Sequence, residues 1–353
     1  METNHAVRVG DSRDLTLIEA DAVDLVVTSP PYPMIELWDD LFAELDPTIG
    51  TALEAGDGHA AFEGMHEVLT PVWDELQRVV APGGIACINI GDATRRLHDH
   101  FEKYANAARI TREMTDRGFV GLPDILWHKP TNSGTKFLGS GMLPPNAYVT
   151  LEHEYILIFR NGPNRRQFEP DADRRYEAAY FWEERNQWFS DVWTDITGVG
   201  QTIDEGARSR SAAYPLAIPY RLINMYSAYG DTVLDPFCGT GTTVLAAMVA
   251  ARNSIGINTD SSLIEAFDPT ATSVDELASN IGRDRLASHR KFVADHRATG
   301  GEFGYRMENY DMPVKTAQER RITVYEIDGV NDVEEGYRIR HSPITGVPAT
   351  DSE

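Results

Sequence analysis

The sequence predicts an α/β protein organised on a parallel sheet, and two stretches carry that prediction. Asp24-Leu-Val-Val-Thr-Ser-Pro-Pro-Tyr32 begins as a short apolar, β-branched run, the composition of a buried parallel strand, and two prolines stop it. Asp231-Thr-Val-Leu-Asp-Pro-Phe-Cys-Gly-Thr-Gly-Thr-Thr-Val-Leu-Ala-Ala247 reads as strand, glycine-rich turn and helix. A second strand, Ile255-Gly-Ile-Asn-Thr-Asp260, follows about twenty residues past the glycines.

Each stretch ends in useful chemistry. Pro30 and Pro31 lack backbone donors and hold the residues before them extended, so the first strand ends in a stiff corner. The corner offers the Ser29 hydroxyl, a carbonyl without a ladder partner and the Tyr32 ring. These suit a flat polar ring bearing an NH2 group. The tyrosine stacks on its face, while the serine oxygen and a proline carbonyl accept its N–H bonds. The bland alternative is an ordinary proline turn after a strand. In the second stretch, Gly239 and Gly241 allow a tight turn and the close approach of a ligand. Thr240, Thr242 and Thr243 suit the helix start, whose N–H groups favour a carboxylate or phosphate. No Gly-Lys-Ser/Thr follows, and the full G-x-G-x-x-G spacing is missing, so the turn is not a P-loop. An acid at the end of the next strand commonly holds a ribose diol. Three such features in one chain argue for a ligand site more strongly than any one of them.

Taken together, these blocks resemble the S-adenosylmethionine-dependent DNA amino-methyltransferases of the β class, which methylate N4 of cytosine or N6 of adenine. That class places an S/D-P-P-Y block before a D-P-F-x-G-x-G-T block, the order found here. The resemblance covers about residues 5–260. It implies a doubly wound, Rossmann-like methyltransferase sheet, S-adenosyl-L-methionine as cofactor and double-stranded DNA as partner. It assigns the catalytic corner to Ser29, Pro30, Pro31 and Tyr32. Cofactor contacts fall to Asp235, Pro236, Phe237, Gly239, Thr240, Gly241 and Thr242, with Asp11 beside the adenine amino group. Asn258 replaces the family's acid after Gly-Ile, so the ribose contact falls to Asn258, to Asp260, or to both. Serine ahead of Pro-Pro-Tyr resembles the N4-cytosine members; N6-adenine is the alternative. An RNA methyltransferase fits less well, because the common ones place the cofactor block first. A non-catalytic cofactor sensor would not need an intact Ser29–Tyr32 corner.

The chain then divides into a catalytic half over 1–159, a target-recognition region over 160–213, a cofactor half over 214–265 and a C-terminal extension over 266–353. In order, a brief strand at 7–11 precedes a short helix over 12–20 and the central strand. A polar loop over 33–57 follows, then a helix over 58–81, whose apolar residues recur at helical spacing. The pattern continues with a turn at 82–84, a strand at 85–90, a helix over 99–118 and a strand at 124–129. A Gly/Pro/Ser/Asn-rich loop over 131–150 carries Lys136 and leads to a strand at 152–159. Over 160–213, Arg165, Arg166, Arg174 and Arg175 interleave with Tyr176, Tyr180, Phe181 and Trp182. That mix grips phosphates and stacks bases, and the family places its DNA-reading region here; aromatics forming a small core are the alternative. A helix over 214–227, a helix over 273–298 and a hairpin within 321–341 complete the pattern.

At 353 residues and 42% hydrophobic, the chain can bury a sizeable core. It has no apolar run of membrane-spanning length and no basic-then-apolar leader, so a cytoplasmic protein is expected. Cys87 and Cys238 form no disulfide framework or metal spacing, and neither follows a proline as covalent C5-cytosine chemistry would require. His98, Asp99, His100 and the Glu152-His-Glu154 run read as surface and strand-entry residues, so no metal is expected. Net charge is −23, and only five of the 32 basic residues are lysines. Acid-rich, lysine-poor surfaces suit a salt-loaded cytoplasm, which points to a halophile. Locally, residues 94–136 hold eight Lys/Arg against five Asp/Glu. A companion restriction endonuclease, an orphan modification role, a monomer and a homodimer all fit the sequence.

Overall fold

A computed structural model of the chain describes residues 1–129, 138–197 and 214–345. Among these, eleven strands join one sheet. Its centre is five parallel strands in the order β3 (Val80–Ile90), β2 (Val23–Thr28), β12 (Thr232–Asp235), β13 (Asn253–Asn258) and β1 (Glu2–Val9). Beyond β3, strand β10 (His153–Asn161) runs antiparallel. Strands β6 (Phe119–Gly121) and β7 (Ile125–His128) pair with β10, and β11 (Val192–Trp193) pairs with β7. Beyond β1, the hairpin β16 (Tyr325–Val333) and β17 (Gly336–Pro343) closes the other side. A separate short pair, β14 (Tyr305–Arg306) and β15 (Pro313–Val314), precedes that hairpin in the chain.

Strand β2 shows why this is a doubly wound fold. Val23 and Val26 face one apolar cluster with the helices Gly58–Val79 and Asn106–Asp116. Leu25 and Val27 face a second cluster with the helices Ala217–Tyr226 and Thr242–Val249. The register against β3 shifts between Val23 and Leu25, and from Leu25 on the side chains alternate across the strand, so a run covered on both faces is apolar residue after residue.

Several expectations change. Residues 12–20 form turns, not a helix. Arg78 donates to the carbonyls of Leu15 and Ile18 at 2.8 and 2.9 Å, and Glu75 accepts the Leu15 N–H at 2.9 Å, so tertiary bonds replace helical ones. The segment 33–57 is not a loop: it holds the helices Asp39–Leu45 and Pro47–Ala55. Asp46 caps the second helix, Pro47 starts it, and left-handed Gly56 ends it. The helix expected over 99–118 is shorter, Asn106–Asp116. Before it runs a hairpin, β4 (Ala93–Leu97) and β5 (His100–Tyr104), turning at His98 with φ of 49°. A two-stranded β8 (Leu138–Gly139) and β9 (Ala147–Tyr148) interrupts the expected loop. The described part of the C-terminal extension packs on the sheet. Strand β17 pairs with β1, and the helix Val274–Ala298 buries Ala278 in the second core cluster.

Candidate active site

Parallel strands end together, so their C-terminal residues converge. Ser29 follows β2, Pro236 follows β12, Asn258 ends β13, Asp11 lies just past β1, and Gly91 follows β3. Strand β10 is antiparallel to β3, with Tyr155 opposite Ile90, which brings its second residue, Glu154, to the same edge. The sheet therefore gathers the two sequence blocks at one place, as open α/β sheets do.

At the proline corner, Pro30 is buried and Ser29, Pro31 and Tyr32 are half-buried. Ser29 donates its hydroxyl to Tyr32 Oη at 3.1 Å. Tyr32 donates to Glu154 Oε2 at 3.0 Å. Asn89 Nδ2 donates to Tyr32 Oη at 2.7 Å and to Glu154 Oε2 at 2.8 Å. Lys129 Nζ closes the group on Glu154 Oε1 at 2.7 Å. Burial, then the Glu154 carboxylate, push the Tyr32 phenol well above its ordinary value. Asn106 ties the corner down, donating to the carbonyls of Pro33 and Gly91 at 3.0 and 2.9 Å.

At the glycine turn, Asp235 is buried and its carboxylate is used internally. Thr28 donates to it at 2.6 Å, Thr243 donates through its hydroxyl, and the Phe237 N–H donates at 3.1 Å. Burial raises its pKa to about 6, against the pull of those hydrogen bonds. Asp235 thus fastens strand, turn and helix. Gly239 and Gly241 take φ of 51° and 80°, and Gly241 caps the helix Thr242–Val249. A Cβ on Gly241 would meet the Phe267 ring at 2.3 Å. The hydroxyls of Thr240 and Thr242 are buried without a partner. Orphaned donors at a helix start are what a polar cofactor tail would satisfy, so these residues fit one. Ser12 Oγ donates to the Pro236 carbonyl. Asn258 Oδ1 accepts the Asp260 N–H at 2.7 Å, and Asp260 caps the helix Ser261–Glu265. Asp11 is held by Arg13, whose hydrogen bonds lower the Asp11 pKa.

The arginines of the 160–213 region lie toward the other edge of the sheet. Arg166 donates bidentately to Asp231 at 2.6 and 2.9 Å and reaches Asp24 at 3.0 Å; Arg174 meets Asp231 at 3.1 Å. Asp24 and Asp231 sit where β2 and β12 begin, the opposite edge of the sheet. Arg165, Arg166 and Arg175 line a cleft of about 700 Å³ there. Phe181, Trp188 and Trp193 are buried in the core, whereas Trp182 is exposed. Lys136 lies outside the described residues. Among the described residues, no His/Cys/Asp/Glu group is arranged for a metal, and no helix is long and apolar enough to cross a membrane.

Sequence reasoning missed Asn89, Asn106 and Glu154. Glu154 reads as an ordinary strand-entry acid, and only the pairing of β10 with β3 places it beside Tyr32.

The fold and site define an α/β protein with unpartnered hydroxyls at a glycine turn and a polar, aromatic corner at the end of the neighbouring strand. The DNA methylase family profile matches residues 23–268. The Type II methyltransferase M.MthZI of Methanothermobacter thermautotrophicus is 50% identical over 328 residues, covering 92% of this chain and 91% of its own. M.MjaI of Methanocaldococcus jannaschii, also a Type II methyltransferase, is 52% identical over 272 residues, 74% of this chain and 89% of its own. A candidate DNA modification methylase of Thermus thermophilus, crystallised with S-adenosylmethionine, superposes with a TM-score of 0.60 at 28% identity, covering 76% of this chain and 94% of that one. The chain belongs to the N6/N4 DNA methylase family. It is a DNA amino-methyltransferase, and S-adenosylmethionine is its cofactor.

Proposed function

We propose that the protein methylates the N4 amino group of cytosine in duplex DNA. The observation that carries this reading is the Ser29-Pro-Pro-Tyr32 corner, with the Ser29 hydroxyl pointed at Tyr32 and its lone pairs left for another donor. An exocyclic amino nitrogen is a poor nucleophile, because its lone pair is delocalised into the ring. N–H bonds from it to Ser29 Oγ and the Pro30 carbonyl localise that pair and stabilise the positive charge that grows as the methyl arrives. S-adenosylmethionine supplies an electrophilic methyl on a sulfonium. The nitrogen attacks that carbon, the carbon–sulfur bond breaks onto sulfur, and the surplus amine proton leaves to water. No covalent enzyme intermediate is needed. The target base must leave the duplex to reach the corner, where the Tyr32 ring stacks on it.

Thr240, Thr242 and the helix start hold the cofactor's polar tail in this reading, with Asn258 and Asp260 at the ribose and Asp11 at the adenine. The DNA lies across the carboxyl edge. Hairpin β4–β5 stands there with Arg96 and with Lys103, which is paired to Asp92 at 2.8 Å, and its Phe101 stacks on Tyr148 at 5.0 Å. Met142 and Leu143, in the turn between β8 and β9, and Val149, next to Tyr148, are exposed. The relatives' Type II names support a modification role alongside a restriction endonuclease.

Nucleoside mass spectrometry tests the base. Plasmid DNA is incubated with the protein and labelled S-adenosylmethionine at high salt. Label in N4-methylcytosine is the expected result. Label in N6-methyladenine would overturn the choice of base and keep the corner's chemistry; label in RNA alone would overturn the DNA reading of the corner.

A further inference from the structure

Ser29 poses a physical problem: a serine hydroxyl is a rotor that donates as readily as it accepts, and it carries no charge. The target amino group brings N–H donors and needs an acceptor that also favours positive charge. A carboxylate at this position would supply both; serine alone supplies neither reliably.

The buried network around Tyr32 resolves this. The Tyr32 oxygen accepts from Asn89 at 2.7 Å and from Ser29 at 3.1 Å, which fills its acceptor positions. Its single proton therefore points to Glu154, 3.0 Å away. Glu154 Oε2 also takes the Asn89 amide, and Oε1 takes Lys129. The Glu154 side chain is 13% exposed, so its charge acts at close range in a poorly screened place. The chain of bonds runs one way, from Ser29 through Tyr32 to Glu154.

We propose that Glu154 is a positioning residue for methyl transfer. Acting through Tyr32, it fixes the Ser29 hydroxyl as an acceptor and lends it the negative character that serine lacks. Each bond in such a chain polarises the next, so the Ser29 oxygen becomes a stronger acceptor for the amino group. No proton has to pass along it. This inference rests on the reading of Ser29 as the amino-group acceptor.

Single-turnover methylation of a duplex oligonucleotide, at saturating DNA and cofactor, tests it. Glu154→Gln keeps the shape and removes the charge. It is expected to lower the rate about 10- to 100-fold, with the KM for DNA within about twofold and the melting temperature near that of the wild type. Tyr32→Phe breaks the chain at its middle, so the Glu154→Gln/Tyr32→Phe double variant is expected to be no slower than the slower single variant. Ser29→Asp places a charge directly at the corner. In that background Glu154→Gln is expected to cost less than about threefold.

Equal Glu154→Gln losses with and without Ser29→Asp would overturn the inference, as would Tyr32→Phe and Glu154→Gln losses that multiply. Should Ser29→Asp be inactive, the Tyr32 cycle decides alone. Ser29→Ala separates the two readings. A fully active Ser29→Ala sinks the corner assignment; an inactive Ser29→Ala beside a normal Glu154→Gln sinks only the role of Glu154.

Discussion

The two edges of the central sheet carry similar residues arranged to opposite ends. At the amino edge, Asp24 and Asp231 meet Arg166 and Arg174, and buried Arg252 donates to the carbonyls of Ser227 and Ala250. Charge there is plentiful, and Asp24, Asp231, Arg166 and Arg174 are paired with one another. At the carboxyl edge, Thr240 and Thr242 keep hydroxyls without partners, Asn89 Oδ1 is likewise unmet, and Ser29 is turned toward Tyr32. Five residue steps along β2 separate Asp24 from Ser29, about 16 Å at strand spacing. Charge alone therefore marks the wrong edge. What distinguishes the working edge is valence the protein does not satisfy itself, because a buried polar group without a partner is costly unless a ligand completes it.

The comparison breaks most visibly in activity. Ser29→Ala should lower kcat by about 10²- to 10³-fold with little change in melting temperature, whereas Arg165→Ala at the amino edge should leave kcat and the KM for DNA within about twofold. A large loss of DNA affinity in Arg165→Ala would move the DNA to the other edge. Stability should show the reverse ranking. Arg166→Ala leaves the fully buried Asp231 carboxylate with Arg174 and the Ala228 N–H, and should cost about 3 kcal/mol in chemical denaturation. Methylation per folded molecule should persist. A Ser29→Ala variant that proved less stable than Arg166→Ala would erase the distinction between the edges. Gly241→Ala falls between the two. A methyl at a φ of 80°, pressed on the Phe267 ring, should weaken cofactor binding about tenfold and cost about 1–3 kcal/mol, read by isothermal titration and by melting.

The contrast also marks how far the sequence reaches. The apolar run of β2 and the strand–turn–helix at Asp235–Val249 are local patterns, so the doubly wound sheet and both motif blocks are legible from residues alone. Prolines at 30 and 31 and glycines at 239 and 241 announce their backbone needs wherever they occur. Arg166 and Arg174 announce nothing about partners. Their carboxylates, Asp24 and Asp231, lie far away along the chain in either direction, and only the fold brings them together. Glu154 and Asn89 meet Tyr32 through strand register, which sequence patterns leave open. The missed helices at 39–55 are different: Asp46-Pro47 and Gly56 are readable caps, overlooked in a segment whose polarity resembled a loop.

The finest form of the comparison is between two buried aspartates on one short strand and its approach. Asp231 faces two guanidinium groups; Asp235 faces hydroxyls and an N–H. Burial therefore raises the Asp235 pKa from its ordinary 3.8 to about 6. The sign follows from proton linkage. Between about pH 4 and 6 the unfolded chain has released this proton and the folded chain still binds it, so stability falls as pH rises through that window and levels off above it. A shift near two units corresponds to at most about 3 kcal/mol. Asp235→Asn keeps an acceptor for the threonines and removes the titration. Urea midpoints across a pH series from about 4.5 to 7.5 should show the Asn variant gaining on the wild type up to about pH 6 and running parallel to it above. A constant difference across the series would mean that Asp235 is ionised in the folded protein throughout it, below pH 6 as well as above.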